Sequence, residues 1–161
     1  MKRLVTLLLV LIMALSLAAC GGNKDEAKDL TVAETLLKDF EERAESEDVQ
    51  TIADGLLANE VIQFMGGSMS VEPGFLTGFG EYEVKGFSEG VMFSPMIGTI
   101  PFVGYVFDLE EGVDADEFIA SLEENADLRW NICTEAEEMV SGKKGDKVFF
   151  VMSPKSFEQA E

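Results

Sequence analysis

The sequence predicts an α+β fold in which two N-terminal helices and one later helix pack on one face of a mainly antiparallel sheet. Three observations carry this. Apolar residues recur at helical spacing between Val32 and Leu57, short apolar runs broken by glycine follow from Glu60 to Asp108, and a third capped helix precedes a closing β-hairpin.

The first helix opens on a capping box, Thr31-x-x-Glu34, in which the threonine side chain accepts from the third helical amide and the glutamate reaches back to the cap's own N–H. Val32, Leu36 and Phe40, with Ala33, Leu37 and Ala44, then form an apolar stripe that predicts a helix from Val32 to Glu45. Its other side carries Glu34, Lys38, Asp39, Glu41, Glu42 and Arg43, a solvated face. Val49, Ile52, Ala53, Leu56 and Leu57 repeat the pattern over a second short helix, which Gly55 weakens.

Glu60–Met65 and Gly86–Phe93 read as strands, and Pro101–Leu109 as the most buried strand of the set. Nine of the fifteen glycines lie between Gly66 and Gly104, together with Pro73, Pro95 and Pro101, so turns are frequent here and some require positive φ. The third helix starts at Asp114-x-x-Glu117, an analogue of the capping box, with Val113 and Phe118 as hydrophobic staple and Phe118, Ile119 and Leu122 as its buried face. Glu138–Ser141 and Lys147–Ser153 flank the polar segment Gly142-Lys143-Lys144-Gly145-Asp146 and predict a hairpin. The VFFVM run is apolar on both faces, which places the final strand inside a sheet. Residues 154–161 read as a loose tail.

Composition excludes several functions. The chain has 161 residues, 12 cations against 31 acids, and a formal charge of −19. A field of that sign repels phosphate backbones and anionic headgroups, so nucleic acid is not an expected partner. With no histidine in the sequence, Ser-His-Asp and Cys-His catalysis, His-ligated zinc or copper and a histidine proton shuttle cannot come from this chain.

Residues 1–22, MKRLVTLLLVLIMALSLAACGG, have the layout of an export signal: two cations, an apolar run from Leu4 to Leu15 that is too short to span a bilayer, and small residues leading to a cysteine. Leu17-Ala18-Ala19-Cys20 resembles the lipobox of bacterial lipoproteins. The resemblance implies cleavage after residue 19, a diacylglyceryl thioether and further fatty acylation, such as palmitate, on Cys20, and a chain held at the extracytoplasmic face of a bacterial cell membrane by its acyl chains. It leaves 142 of the 161 residues, enough for one domain, and removes Lys2 and Arg3, which takes the charge from −19 to −21. Residues 20–30 then form the lipidated cysteine and a polar tether, and residues 31–153 a single domain. The nine residues Gly21–Asp29 reach on the order of 30 Å when extended, at ~3.3–3.6 Å each. In outline, the element order also resembles small lipoproteins of anaerobic Gram-positive bacteria, a likeness that implies no activity.

With Cys20 acylated, Cys133 has no disulfide partner, and its expected role is a small buried hydrophobe, since Glu135, Glu137 and Glu138 beside it disfavour a thiolate. Met65-x-x-x-Met69 and Met92-x-x-x-Met96 could supply soft sulfur ligands for Cu(I). Core filling is the expected role, because the first pair brackets Gly66-Gly67-Ser68, where no helix aligns the sulfurs. Asp108, Glu110, Glu111, Asp114, Asp116 and Glu117 are dense in oxygen ligands, but an EF-hand centred on Gly112 would need oxygen ligands at Phe107, Leu109 and Phe118. No metal site and no cofactor is therefore expected. Glu72, Glu81, Glu83 and Glu89 lie among Phe75, Phe79, Tyr82 and Phe87, a composition that fits a sugar cleft with a carboxylate pair. Ser141-Gly142-Lys143-Lys144 satisfies S-x-x-K without its companion motifs, and Gly78-Phe79-Gly80 lacks the third glycine of a dinucleotide fingerprint. Trp130, the single tryptophan, is the best candidate for an interface anchor, with Arg129 beside it, and the Gly66–Gly104 region for a binding surface.

The expectation is thus a non-catalytic, lipid-anchored extracytoplasmic module that binds an envelope protein, polymer or small ligand. The alternative is a small carboxylate-based hydrolase acting on envelope carbohydrate. Expressed with its own signal, the Cys20→Ala variant is expected to lose acyl labelling and to leave the membrane fraction. Unchanged partitioning into the detergent phase would refute the lipobox reading.

Overall fold

The computed structural model describes residues 30–157; residues 1–29, with the expected export signal, Cys20 and most of the expected tether, lie outside them, as do residues 158–161. In chain order the elements are α1 (Val32–Arg43), α2 (Val49–Leu57), β1 (Gly66–Val71), β2 (Gly74–Phe75), β3 (Glu83–Val84), β4 (Phe87–Pro95), β5 (Val103–Leu109), α3 (Ala115–Asn125), β6 (Glu138–Lys144) and β7 (Lys147–Ser153). β1-β4-β5-β7-β6 form one sheet in that spatial order, antiparallel throughout, and β2 pairs with β3 in a separate short ribbon. The expected α+β fold on an antiparallel sheet is present, and the strand read as most buried, β5, occupies the centre of the sheet.

Local sequence sets the helix starts as expected. Thr31 Oγ1 accepts from the Glu34 amide at 3.2 Å while Glu34 accepts from the Thr31 amide at 3.0 Å, completing the capping box. Asp48 caps α2 through the Thr51 amide, and Asp114 caps α3 through the amides of Asp116 and Glu117. These backbone hydrogen bonds, the leading cause at both sites, hold the Asp48 and Asp114 carboxyls below their ordinary pKa.

Both faces of the sheet are buried. Alternation along β7 sends Phe149 and Val151 to one side and Val148, Phe150 and Met152 to the other. On the first side, α1 and α2 bring Leu36, Phe40, Ile52 and Leu56, all fully buried, onto Val91, Phe93, Val106, Phe149 and Val151. Each such side chain contributes ~1.5–3 kcal/mol relative to exposure; Phe40 lies 5.5 Å from Phe149, ring centre to ring centre.

The placement of the third helix differs from expectation. α3 covers the opposite face, where Phe118 meets Phe107 edge-on at 5.3 Å and Leu122 joins the cluster of Val148, Phe150 and Phe79. The reason lies in β5 and β7: strands apolar on both sides need a cover on each, and α1 and α2 occupy only one.

Two further corrections concern element boundaries. Glu60–Met65 is not a strand; the Asn59 carbonyl accepts from the Ile62 amide at 3.0 Å and its side chain from the Val61 amide at 3.1 Å, so the chain turns, and the edge strand begins at Gly66. The closing hairpin has a tighter turn than the five-residue loop, because β6 continues through Lys144 and only Gly145-Asp146 separate the strands, Gly145 at φ +61°. Beyond β7, the expected loose tail is held as far as Phe157. Lys155 O accepts from the Val32 amide at 3.0 Å, and the Phe157 ring stands edge-on to Phe64 at 5.3 Å.

At Gly104 the absence of a side chain is structural. It pairs with Phe93 across β4–β5, and the Phe93 ring occupies the space a Cβ would need. Gly104→Ala is expected to destabilise by ~1–3 kcal/mol through overpacking, read as a lower urea midpoint with an unchanged slope. The caps give a pH dependence of defined sign. A carboxyl whose folded pKa lies below its unfolded value stabilises above the usual carboxylate range, at about pH 3.9, and that contribution is lost as pH falls through the folded value. Asp114→Ala should therefore be less stable than the parent at neutral pH, with the gap narrowing in denaturant titrations as the pH is taken below the usual carboxylate range.

Candidate apolar binding site

The second face of the sheet is covered less completely than the first. α3 packs over β6 and β7, and the segment after it, Ala126–Ala136, crosses towards β5. Where that cover ends, a cavity of about 480 Å³ opens against the sheet. Its floor is Met92 on β4 with Phe102 and Val103 at the start of β5; Ile100 and Pro95 form one side; Trp130, Ile132 and Cys133 form the other.

Each wall has a local cause. Asp127 donates its amide to Gly78 O at 2.8 Å, and its carbonyl and carboxylate accept from the amides of Trp130 and Arg129 at 3.1 and 2.9 Å, which turns the chain after α3 and sets Trp130 over the opening. Asn131 Nδ2 donates to Gly98 O at 2.9 Å and Thr134 Oγ1 to Thr99 O at 3.2 Å, so this loop is tied to the β4–β5 connection on the far side of the mouth. Behind the floor, the Tyr105 hydroxyl donates to Thr77 O at 2.8 Å, with Met92 Sδ 3.4 Å from the Tyr105 hydroxyl oxygen. Burial pushes the Tyr105 phenol above its ordinary pKa, so it stays a neutral donor that fixes Thr77 and Met92, both of which line the cavity.

The lining is uncharged: no Asp, Glu, Lys or Arg contributes to it, in a chain with 31 acids. Its polar groups are the Thr77 and Ser94 hydroxyls, the Asn131 amide and the Cys133 thiol. The size and lining of the cavity suit a compact neutral, mainly apolar group and offer few hydrogen bonds to orient one.

The sequence-predicted residues fall on both sides of this result. Trp130 and part of the Gly66–Gly104 region meet at the cavity. Elsewhere in that region Phe79, Phe87 and Phe93 are core. Cys133 is exposed at the cavity wall, a correction to its expected burial, because the loop carrying it is held by Asn131 and Thr134 and faces outward. Met65, Met69 and Met96 are likewise exposed, at 78, 56 and 68%, and do not fill the core. Met69 pairs with Met92 across β1–β4, and Met96 donates its amide to Met65 O at 2.9 Å, so all four lie on one face of the sheet.

Glu72, Glu81, Glu83 and Glu89 are exposed and are not brought together: Glu83 pairs with Lys85, and Glu89 lines a separate hollow in which it is the one acid. Two of the aromatic residues expected beside them, Phe79 and Phe87, point into the core. Asp114 is occupied as a cap and Asp116 as an ion-pair partner of Lys143; among the described residues no three His, Cys, Asp or Glu are grouped to hold a metal ion. Ser141 and Lys144 of the S-x-x-K match bond to different elements, through Glu123 on α3 and Glu45 in the turn after α1. Sequence reasoning missed Ile100 and Ile132, which stand in short connections without helix or strand periodicity to mark them; Ile132 is 97% exposed. No family model, curated protein or solved structure matches the chain.

Proposed function

We propose that this chain is a lipid-anchored lipoprotein of the bacterial cell envelope whose domain, held at the extracytoplasmic face of the membrane, binds a neutral, mainly apolar ligand or side chain in the cavity beside Trp130. The lipobox-like Leu17-Ala18-Ala19-Cys20 supports the anchor. The observation that carries the binding role is a cavity of about 480 Å³ with no charged lining residue in a chain of formal charge −19. An acidic surface repels anions and attracts cations over its whole extent, so an uncharged concavity within it selects by shape and desolvation, with Trp130 as anchor. Binding of this kind needs no nucleophile, general base or cofactor.

The single tryptophan makes the test direct, because Trp130 lines the site. Titrating the protein with Nile red, a neutral polarity-sensitive dye, is expected to raise dye emission and quench Trp130 with a common midpoint. Ile132→Asp places a charge on an exposed wall residue and should weaken the dye by about tenfold, the equivalent of ~1.4 kcal/mol, while leaving the melting temperature unchanged. Dye binding that is indifferent to Ile132→Asp, or that leaves Trp130 emission unaltered, would refute the site.

A further inference from the structure

The two edges of the sheet are defended differently. β6 carries Glu138, Lys143 and Lys144, and its lysines are ion-paired to the body, Lys143 with Asp116 and Lys144 with Glu45. β1 reads Gly-Gly-Ser-Met-Ser-Val, without a charge or a proline. An uncharged edge strand is a template for pairing with another chain unless something covers it. Among the described residues no other strand pairs with the outer side of β1, and no loop or side chain hydrogen-bonds to its main chain.

The ladder identifies the free groups. Met96 donates to Met65 O, which makes Met65 and Met96 a hydrogen-bonded pair. Such pairs recur every second residue in an antiparallel ladder, so Gly67 and Met69 also face β4, and Gly66, Ser68 and Ser70 present their N–H and C=O groups outward.

The surroundings of β1 differ on its two faces. On the face shared with the apolar cavity, Met69 and Met96 flank a hollow of about 200 Å³, and Gly67 between them leaves it open. On the helix face the hollow beside Ser70 holds Glu89, and Asp54 of α2 accepts from the Ser68 hydroxyl. No cation stands nearby in sequence: between Arg43 and Lys85 the chain has eight acids and no Lys or Arg.

We propose that β1 is a strand-addition site for an extended peptide segment that alternates apolar with basic residues, held by the outward groups of Gly66, Ser68 and Ser70, its apolar side chains over Met69 and Met96 and its basic ones towards Asp54 and Glu89. Main-chain bonds supply affinity and the alternation supplies specificity. A second copy of this chain is disfavoured as occupant, since it would bring the same acids against each other across the junction.

The test uses the full chain in detergent and a fluorescent ten-residue peptide of alternating Lys and Leu, read by anisotropy. The controls are a peptide of the same composition with the lysines and leucines in separate blocks, and the alternating peptide with every second amide N-methylated. The alternating peptide is expected to bind at least about tenfold more tightly than either control. Ser70→Pro removes an outward N–H and no bond of the β1–β4 ladder, so it should weaken the alternating peptide by a similar factor with little change in melting temperature. Equal binding of the block peptide would show general attraction to an acidic surface and overturn the proposal, as would equal binding of the N-methylated peptide. Should Ser70→Pro fail to fold, the two peptide controls alone decide. Dimerisation of the chain by sedimentation equilibrium, abolished by Ser70→Pro, would assign the edge to a second copy and overturn the peptide reading.

Discussion

Two-sided burial of β5 and β7 is the constraint on which the rest of the structure depends. Val103, Tyr105 and Phe107 face one layer while Val106 faces the other, and β7 repeats the division with Val148, Phe150 and Met152 against Phe149 and Val151. A sheet with one wet face would satisfy an antiparallel ladder equally well, so hydrogen bonding does not impose this arrangement. The apolar content of the two central strands does. Two covering layers follow, and the chain supplies them unequally: two helices in front, and one helix with a short ribbon and long connections behind. The cavity is the consequence, being the part of the rear face that eleven residues of α3 and the loop after it do not reach.

Charge shapes what that gap can hold. The acids are consumed at the periphery as caps, as partners for the few lysines and arginines, or as solvated surface: Asp48 and Asp114 cap helices, Asp39 and Glu47 take Arg43, Asp116 takes Lys143 and Glu45 takes Lys144. Exposed pairs of this kind add little stability. Their effect is on location, since they tie the end of β6, through Lys143 and Lys144, to α3 and to the turn after α1, while the rear cavity is lined by neutral groups alone.

Much of the fold was legible because local signals agree with tertiary demand. Thr31-x-x-Glu34 and Asp114-x-x-Glu117 announced helix starts that the structure contains, and Val148–Met152, apolar at every position, could be stable only between two layers. The same reading, carried one step further, implied a cover on both sides of the sheet and so contradicted a single-faced arrangement of helices. Glu60–Met65 failed for a different reason: its short apolar run, Val61, Ile62 and Phe64, is equally compatible with a turn whose side chains reach the core, and Asn59 decides the matter through bonds invisible to periodicity. Of the site, Trp130 and, in outline, the Gly66–Gly104 region were singled out for binding, while Met92 and Cys133 were read as core. The other walls come from the ends of β4 and β5 and a loop some 30 residues further on, and the bonds that join them, Asn131 to Gly98 and Thr134 to Thr99, span 33 and 35 residues. Such juxtaposition is a property of topology, which no local pattern encodes.

The way the cavity is built also sets how it can open. Its floor belongs to the core: Phe102 and Val103 are buried, Phe102 packs between Phe93 and Phe64, and Met92 is backed by the fully buried Tyr105. Its mouth is joined by two exposed side-chain bonds between the two loops. Exposed hydrogen bonds between loops exchange with water at little net cost, about 0.5–1.5 kcal/mol each, whereas moving the floor would break the packing of two core layers. The Gly98–Ile100 and Trp130–Thr134 segments can therefore part without any change in the sheet. Floor and mouth thus rest on different interactions, core packing below and exposed loop bonds above, so a change at the mouth does not draw on the interactions that hold the fold.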